Sequence, residues 1–234
     1  MTTLLMPPHE SNAYKPERLA GSVVSYPSRC QLWGEAGFHG NCDGRLFKSL
    51  VELYKPKSVA DPMFGSGTTR DVIDGMNRHC NANIKFWGND LRFGFNLQRD
   101  PLPGRFDLVW LHPPYWNIVR YSDKPADLST CEDYQEFLKR LRGCLRRCHD
   151  ALNPGGRLAV LFADVRRRGV YYPLVRDVLA MEGTIGQLRS VIIKMQHNCR
   201  SDSKTYNAIE DARISHEYCA VFKRAANESG RAWR

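Results

Sequence analysis

The stretch DPMFGSGTT, Asp61 to Thr69, follows the short apolar run Ser58-Val59-Ala60 and leads into a segment, Thr68 to Arg78, able to form a helix. A strand that ends in a carboxylate and turns on two glycines into a helix N-terminus is how an open α/β sheet holds a nucleoside cofactor at its switch point. The lysine of a P-loop is missing, and so is the third glycine of the dinucleotide fingerprint, which disfavours a pyrophosphate ligand. What is left is a backbone turn that approaches a small zwitterion closely, with Asp61 available for an ammonium group.

Working outward, a helical stripe of Leu46, Phe47, Leu50, Leu53 and Tyr54 begins at Asp43 and stops at Lys55-Pro56. Ile84 to Trp87 predicts a second strand leading to Asp90, which lies 23 residues after Gly67 (90 − 67), where an acid accepts from ribose hydroxyls. A short third strand is expected between Phe93 and Leu97, and Asp100, just before the fourth strand, could accept from an adenine amino group. Phe106 to Leu111 is apolar except for Asp107, as in a strand buried on both faces. Thr130 to Asp133 has the form of a capping box, and apolar positions 134, 137, 138, 141, 145, 148 and 152 carry a helix to Asn153-Pro154-Gly155-Gly156. Leu158 to Ala163 predicts a strand, Tyr172 to Met181 a helix, and Val191 to Met195 and Tyr218 to Phe222 two further strands. Strands alternating with helices imply a mainly parallel sheet covered on both faces.

The chain of 234 residues is expected to form one folded domain over 36–224, preceded by a Pro-, Ser- and Gly-rich arm of loops, 1–35, and followed by a tail, 225–234. With 42% hydrophobic and 25% charged residues and no apolar run long enough to span a bilayer, membrane insertion is not expected. The apolar start before Pro7 and Pro8 is too short for a signal-peptide core, so a cytoplasmic location is expected. The eight cysteines are scattered, which favours reduced thiols. Cys144, Cys148 and His149 lack a second pair to complete a zinc site, so no metal is expected. A net charge of +9 favours a polyanionic partner such as nucleic acid.

The strand ending at Leu111 runs into His112-Pro113-Pro114-Tyr115-Trp116. Neither proline can donate to a sheet ladder, so the strand stops in a rigid corner whose carbonyls stay free as acceptors. A stiff acceptor corner beside a flat ring suits a planar group that carries an amine.

DPMFGSGTT together with HPPYW resembles the DNA methyltransferases that modify the exocyclic amino groups of adenine or cytosine. That family carries a DP-x-x-GSG-TT segment for S-adenosylmethionine and a (D/N/S)PP(Y/F/W) segment for the target amine. The likeness runs from Asn41 to Lys223: HGNCDGRLFKSLVELY looks like the motif before the cofactor loop, NPGGRLAVLFADV the central strand and SHEYCAVFKR the closing one. It implies a Rossmann-like, seven-stranded class I methyltransferase sheet with helices on both faces. It also implies S-adenosylmethionine held by Asn41, Asp61, Pro62, Phe64, Gly65, Ser66, Gly67, Thr68, Asp90 and Asp100. The methyl group would pass to the amine of a base flipped out of DNA, with the Pro113 carbonyl and His112 as acceptors, Pro114 stiffening the corner, and Tyr115 and Trp116 stacking on the base. Adenine-N6 is favoured, with cytosine-N4 close behind.

His112 departs from the family pattern, and an imidazole accepts only while one nitrogen is unprotonated. The transfer rate is therefore expected to fall as pH drops through its pKa, between pH 8 and 5.5. Chains with this motif order usually need a separate target-recognition region, and none is evident. Arg166, Arg167 and Arg168, the loop His197 to Ser215 with Arg200 and Lys204, and the N-terminal arm are candidates for DNA contact. Recognition shared across a homodimer would also fit. Two other readings stay open: methylation of RNA or another amine on the same scaffold, and a module that binds S-adenosylmethionine and DNA without turnover.

Overall fold

In the computed structural model the described residues are 12–16, 19–197 and 211–226. Seven strands form one mixed sheet, in the order β3 (Lys85–Gly88), β2 (Ser58–Asp61), β4 (Phe106–Leu111), β5 (Leu152–Phe162), β9 (His216–Lys223), β8 (Gln187–Met195) and β1 (Val23–Ser25). β3, β2, β4 and β5 are parallel neighbours, and β9 runs antiparallel between β5 and β8. The sheet is thus seven-stranded with helices on both faces, as the resemblance implies.

β4 shows why both faces are covered. Its side chains alternate, Val109 and Leu111 joining one core cluster, Leu108 and Trp110 the other. The first cluster takes Phe137, Leu141 and Leu145 of α3 (Tyr134–Asp150), the second Leu46, Phe47 and Leu50 of α1 (Gly44–Tyr54) and Val72 and Ile73 of α2 (Thr68–Cys80).

Five local expectations change. The strand expected between Phe93 and Leu97 is absent: a 3₁₀ turn, Leu91–Phe93, capped by the Asp90 carboxylate, takes its place. The seventh strand comes instead from the segment read as loops, since β1 pairs in parallel with β8 and Trp33 is buried in the second cluster. Asp133, not Thr130, caps α3 by accepting from the Glu136 N–H at 2.7 Å. The Asn153–Gly156 segment lies inside β5, and the predicted helix 172–181 is two short ones, α4 (Leu174–Leu179) and α5 (Glu182–Ile185). Beyond β5, β6 (Val165–Arg167) and β7 (Val170–Tyr172) form a separate hairpin. Among the described residues no helix is long and apolar enough to cross a membrane.

Candidate functional site

The ends of β2, β3 and β4 open onto one cleft with about 1130 Å³ of empty space, its mouth included. Asn41, Asp61, Pro62, Phe64, Gly65, Ser66, Thr68 and Asp90 line it, and so do His112 and Pro114. The glycine turn and the double-proline corner therefore share one cavity.

The turn is built by positive φ angles. Gly65 has φ +52°, and Gly67, φ +87°, caps α2 from behind the lining, where a Cβ would lie 3.0 Å from Arg70 and 3.1 Å from Phe64. The Asp90 carboxylate fixes the turn by accepting from the Gly65 N–H at 3.0 Å and the Arg92 N–H at 2.9 Å. Asp61, 3% exposed, accepts from the Thr69 hydroxyl at 2.6 Å and the Met63 N–H at 3.1 Å. Burial pushes its carboxyl up to about 7 against those two hydrogen bonds, with the Asp90 charge adding to the rise. The Thr68 hydroxyl donates to Asn41 Oδ1 at 2.5 Å, and the buried Ser66 hydroxyl has no partner among the described residues.

Asp100 does not reach the cleft lining. Without the expected strand, the chain curls at Asn96, and Asp100 accepts from the Asn96 N–H at 2.8 Å and pairs with Arg99 at 2.7 Å. Asn96, Leu97 and Gln98 form that part of the wall instead.

At the corner, no donor among the described residues takes the Pro113 carbonyl. Of the corner, His112 and Pro114 line the cleft, and Pro113, Tyr115 and Trp116 are not among its lining residues. Trp116 is a correction: 3% exposed, it packs against Tyr134 and Tyr172, with the Arg167 guanidinium 4.9 Å from its ring centroid, so it is a core side chain and no base platform. Tyr115 is turned inward as well. Its hydroxyl donates to Glu217 Oε1 at 2.8 Å and meets His112 Nε2 at 2.8 Å, while Phe38, Phe64, Phe95 and Tyr121 supply the aromatic walls of the cavity.

Glu217 and Lys194 were missed by sequence reasoning. They face each other across the β8–β9 ladder, joined at 2.6 Å and 7% and 8% exposed. The available signal was a single charge in each of two apolar strands, VIIKM and HEYCAVF. Burial opposes both charges, yet each holds the other ionised: Glu217 stays below its ordinary value and Lys194 above. Burial lowers His112 to about 4, helped by Lys194 and opposed by Glu217.

Of the basic residues, Arg168 is exposed at the tip of the β6–β7 hairpin beside Val170 and Tyr171, whereas Arg166 pairs with Asp211 and Arg167 lies on Trp116. Arg200 and Lys204 lie outside the described residues.

A DNA methylase family model matches residues 106–233. No curated protein matches the chain. Among solved structures, TTHA0409 of Thermus thermophilus, a candidate DNA modification methylase complexed with S-adenosyl-L-methionine, is 26% identical over 59% of this chain and 54% of that one, with TM-score 0.39. The chain thus spans about half the length of that protein. TrmN from Thermus thermophilus is 18% identical over 76% of this chain and 48% of its own, TM-score 0.38. The N-methyltransferase NodS of Bradyrhizobium japonicum is 13% identical over 77% and 93%, TM-score 0.43.

Proposed function

The chain belongs to the DNA methylase family, and from that premise we propose that it methylates the exocyclic amino group of adenine or cytosine in DNA, with S-adenosylmethionine as donor. The observation that carries this reading is the single cleft shared by the glycine turn and the proline corner.

The residues present suit that cofactor. An ionised Asp61 would hold the ammonium group, and the unpartnered Ser66 hydroxyl is a buried polar atom in want of a ligand. Asp90 retains lone pairs for a ribose diol beyond the two backbone donors it serves. Bound S-adenosylmethionine would supply an electrophilic methyl group on a positively charged sulfur. The chain's part is then to orient the amine. The Pro113 carbonyl and His112 accept its two protons, which aims the nitrogen lone pair and concentrates charge on it. The rigid corner sets those acceptors before the base arrives, and the aromatic walls stack on a base brought out of the helix. The hairpin tip, with Arg168 exposed next to the corner, serves as a phosphate contact.

Incubating the protein with duplex DNA and methyl-labelled cofactor, then identifying the labelled nucleoside, tests the proposal. N6-methyladenine or N4-methylcytosine is the expected product. Label found only in RNA or free nucleotides, or none at pH 8 despite cofactor binding, would replace this reading with another amine substrate or a non-catalytic module.

A further inference from the structure

The cleft sits on a buried hydrogen-bonded chain whose donors and acceptors can be assigned in only one way. Lys194 has protons to give and no lone pair, so toward it the Glu217 carboxylate is an acceptor. Ionised by that partner, Glu217 can only accept from Tyr115 as well, and the phenol must spend its one proton on Oε1. The Tyr115 oxygen is left with lone pairs alone for His112, so the 2.8 Å contact requires that Nε2 carry the hydrogen. A neutral imidazole protonated at Nε2 has its lone pair at Nδ1. His112 makes no other hydrogen bond among the described residues, and it lines the cavity.

We propose that Lys194, Glu217 and Tyr115 are positioning residues that lock His112 in its Nε2–H tautomer and so present Nδ1 to the cleft as a fixed acceptor for one proton of the target amine. The inference rests on the methyltransferase reading above and adds residues to it. It assigns the Tyr115 hydroxyl a task that a stacking ring would not need.

In the transfer step the amine nitrogen forms a bond to the methyl carbon as the carbon–sulfur bond breaks, and sulfur keeps that electron pair and becomes neutral. The nitrogen, now positively charged, releases a proton to Nδ1. The resulting imidazolium, held by burial well toward neutrality, passes it to water as the product leaves. Of the other groups near the chain, Cys42 is a neutral thiol, its pKa pushed up to about 12 by burial, and Tyr121 is a neutral phenol. Neither competes for the proton.

The tautomer can be read without turnover. Long-range proton–nitrogen NMR of protein labelled with ¹⁵N-histidine distinguishes a protonated from a bare ring nitrogen, and His112→Asn identifies the signals. The expected result is protonated Nε2 and bare Nδ1 at pH 7; the opposite tautomer, or an even mixture, overturns the proposal. Kinetics supply the second measurement. Tyr115→Phe keeps the ring and removes the hydroxyl, and it should lower kcat at least about tenfold, a loss of roughly 1.4 kcal/mol in transition-state stabilisation, with cofactor KM unchanged. Combined with His112→Asn, whose amide oxygen accepts in any tautomer, it should add little to the loss of His112→Asn alone. A Tyr115→Phe protein as active as the parent, or a penalty of the same size in both backgrounds, shows that the hydroxyl does not act through His112. A parent protein that methylates no nucleic acid defeats the wider reading, and the NMR result still decides the tautomer.

Discussion

Asp61 and His112 line the same cleft and respond to burial in opposite senses. An ammonium ligand needs Asp61 ionised, and burial has raised that carboxyl to about 7. Below pH 7 the free protein holds a proton that the loaded protein must release, so S-adenosylmethionine affinity should decline by up to about tenfold per pH unit. Titration calorimetry from pH 8 to 5.5 measures this, and a constant affinity would remove Asp61 from the ammonium. For His112, burial outweighs the attraction of Glu217 and carries the imidazole to about 4. With cofactor saturating, kcat should accordingly stay level from pH 8 to 5.5 on account of His112. That replaces the expectation from the bare sequence, which put the loss of an acceptor inside that interval. The residue type was legible there; the burial that sets its titration was not, because it arises from tertiary packing, as does the opposing charge of Glu217, which lies 105 residues away in the chain (217 − 112).

The glycine turn and the double-proline corner are the elements on which the site depends, and both can be loosened selectively. Gly67→Ala places a side chain at φ +87° within 3.0–3.1 Å of Arg70 and Phe64, so it should cost at least about 1–2 kcal/mol in urea denaturation. An unchanged midpoint would mean the turn tolerates a Cβ. Trp116→Ala should cost about 3–5 kcal/mol by leaving a hole between Tyr134, Tyr172 and Arg167. Trp116→Phe should cost far less, because the indole N–H has no partner to lose among the described residues. Motif residues were readable where their placement depends on local backbone: Asp61, Gly65 and Asp90 line the cleft and Gly67 turns the chain into α2. Asp100 stands before β4 as read, but the turn at Asn96 takes its carboxylate away from the cleft lining, and no spacing reveals that local hydrogen bond. Trp116 was misread because periodicity ends at the prolines, and nothing local says which ring turns inward.

At the scale of the molecule, the net charge of +9 predicts duplex DNA affinity that falls steeply between 50 and 200 mM salt. Arg168→Ala, at the exposed hairpin tip, should weaken binding to all sequences alike and reduce the salt slope by about one. An unaltered slope in a filter-binding series would place the phosphate contacts elsewhere. The centre of the sheet was legible from its continuous apolar runs, Phe106–Leu111 and Leu158 to Ala163, the second of which falls in the C-terminal half of β5. The arm's contribution was not, because β1 has only three residues and is held by pairing with Ile193, Lys194 and Met195 rather than by a pattern of its own. The claim on which everything else rests is that methyl donor and target amine meet between the two turns. A crystal structure of the protein with S-adenosylmethionine tests it most directly. The ammonium should lie on Asp61 and the methyl carbon should face the gap between the Pro113 carbonyl and His112 Nδ1. A cofactor seated outside the cleft, or with its methyl group turned away from that corner, would contradict the account.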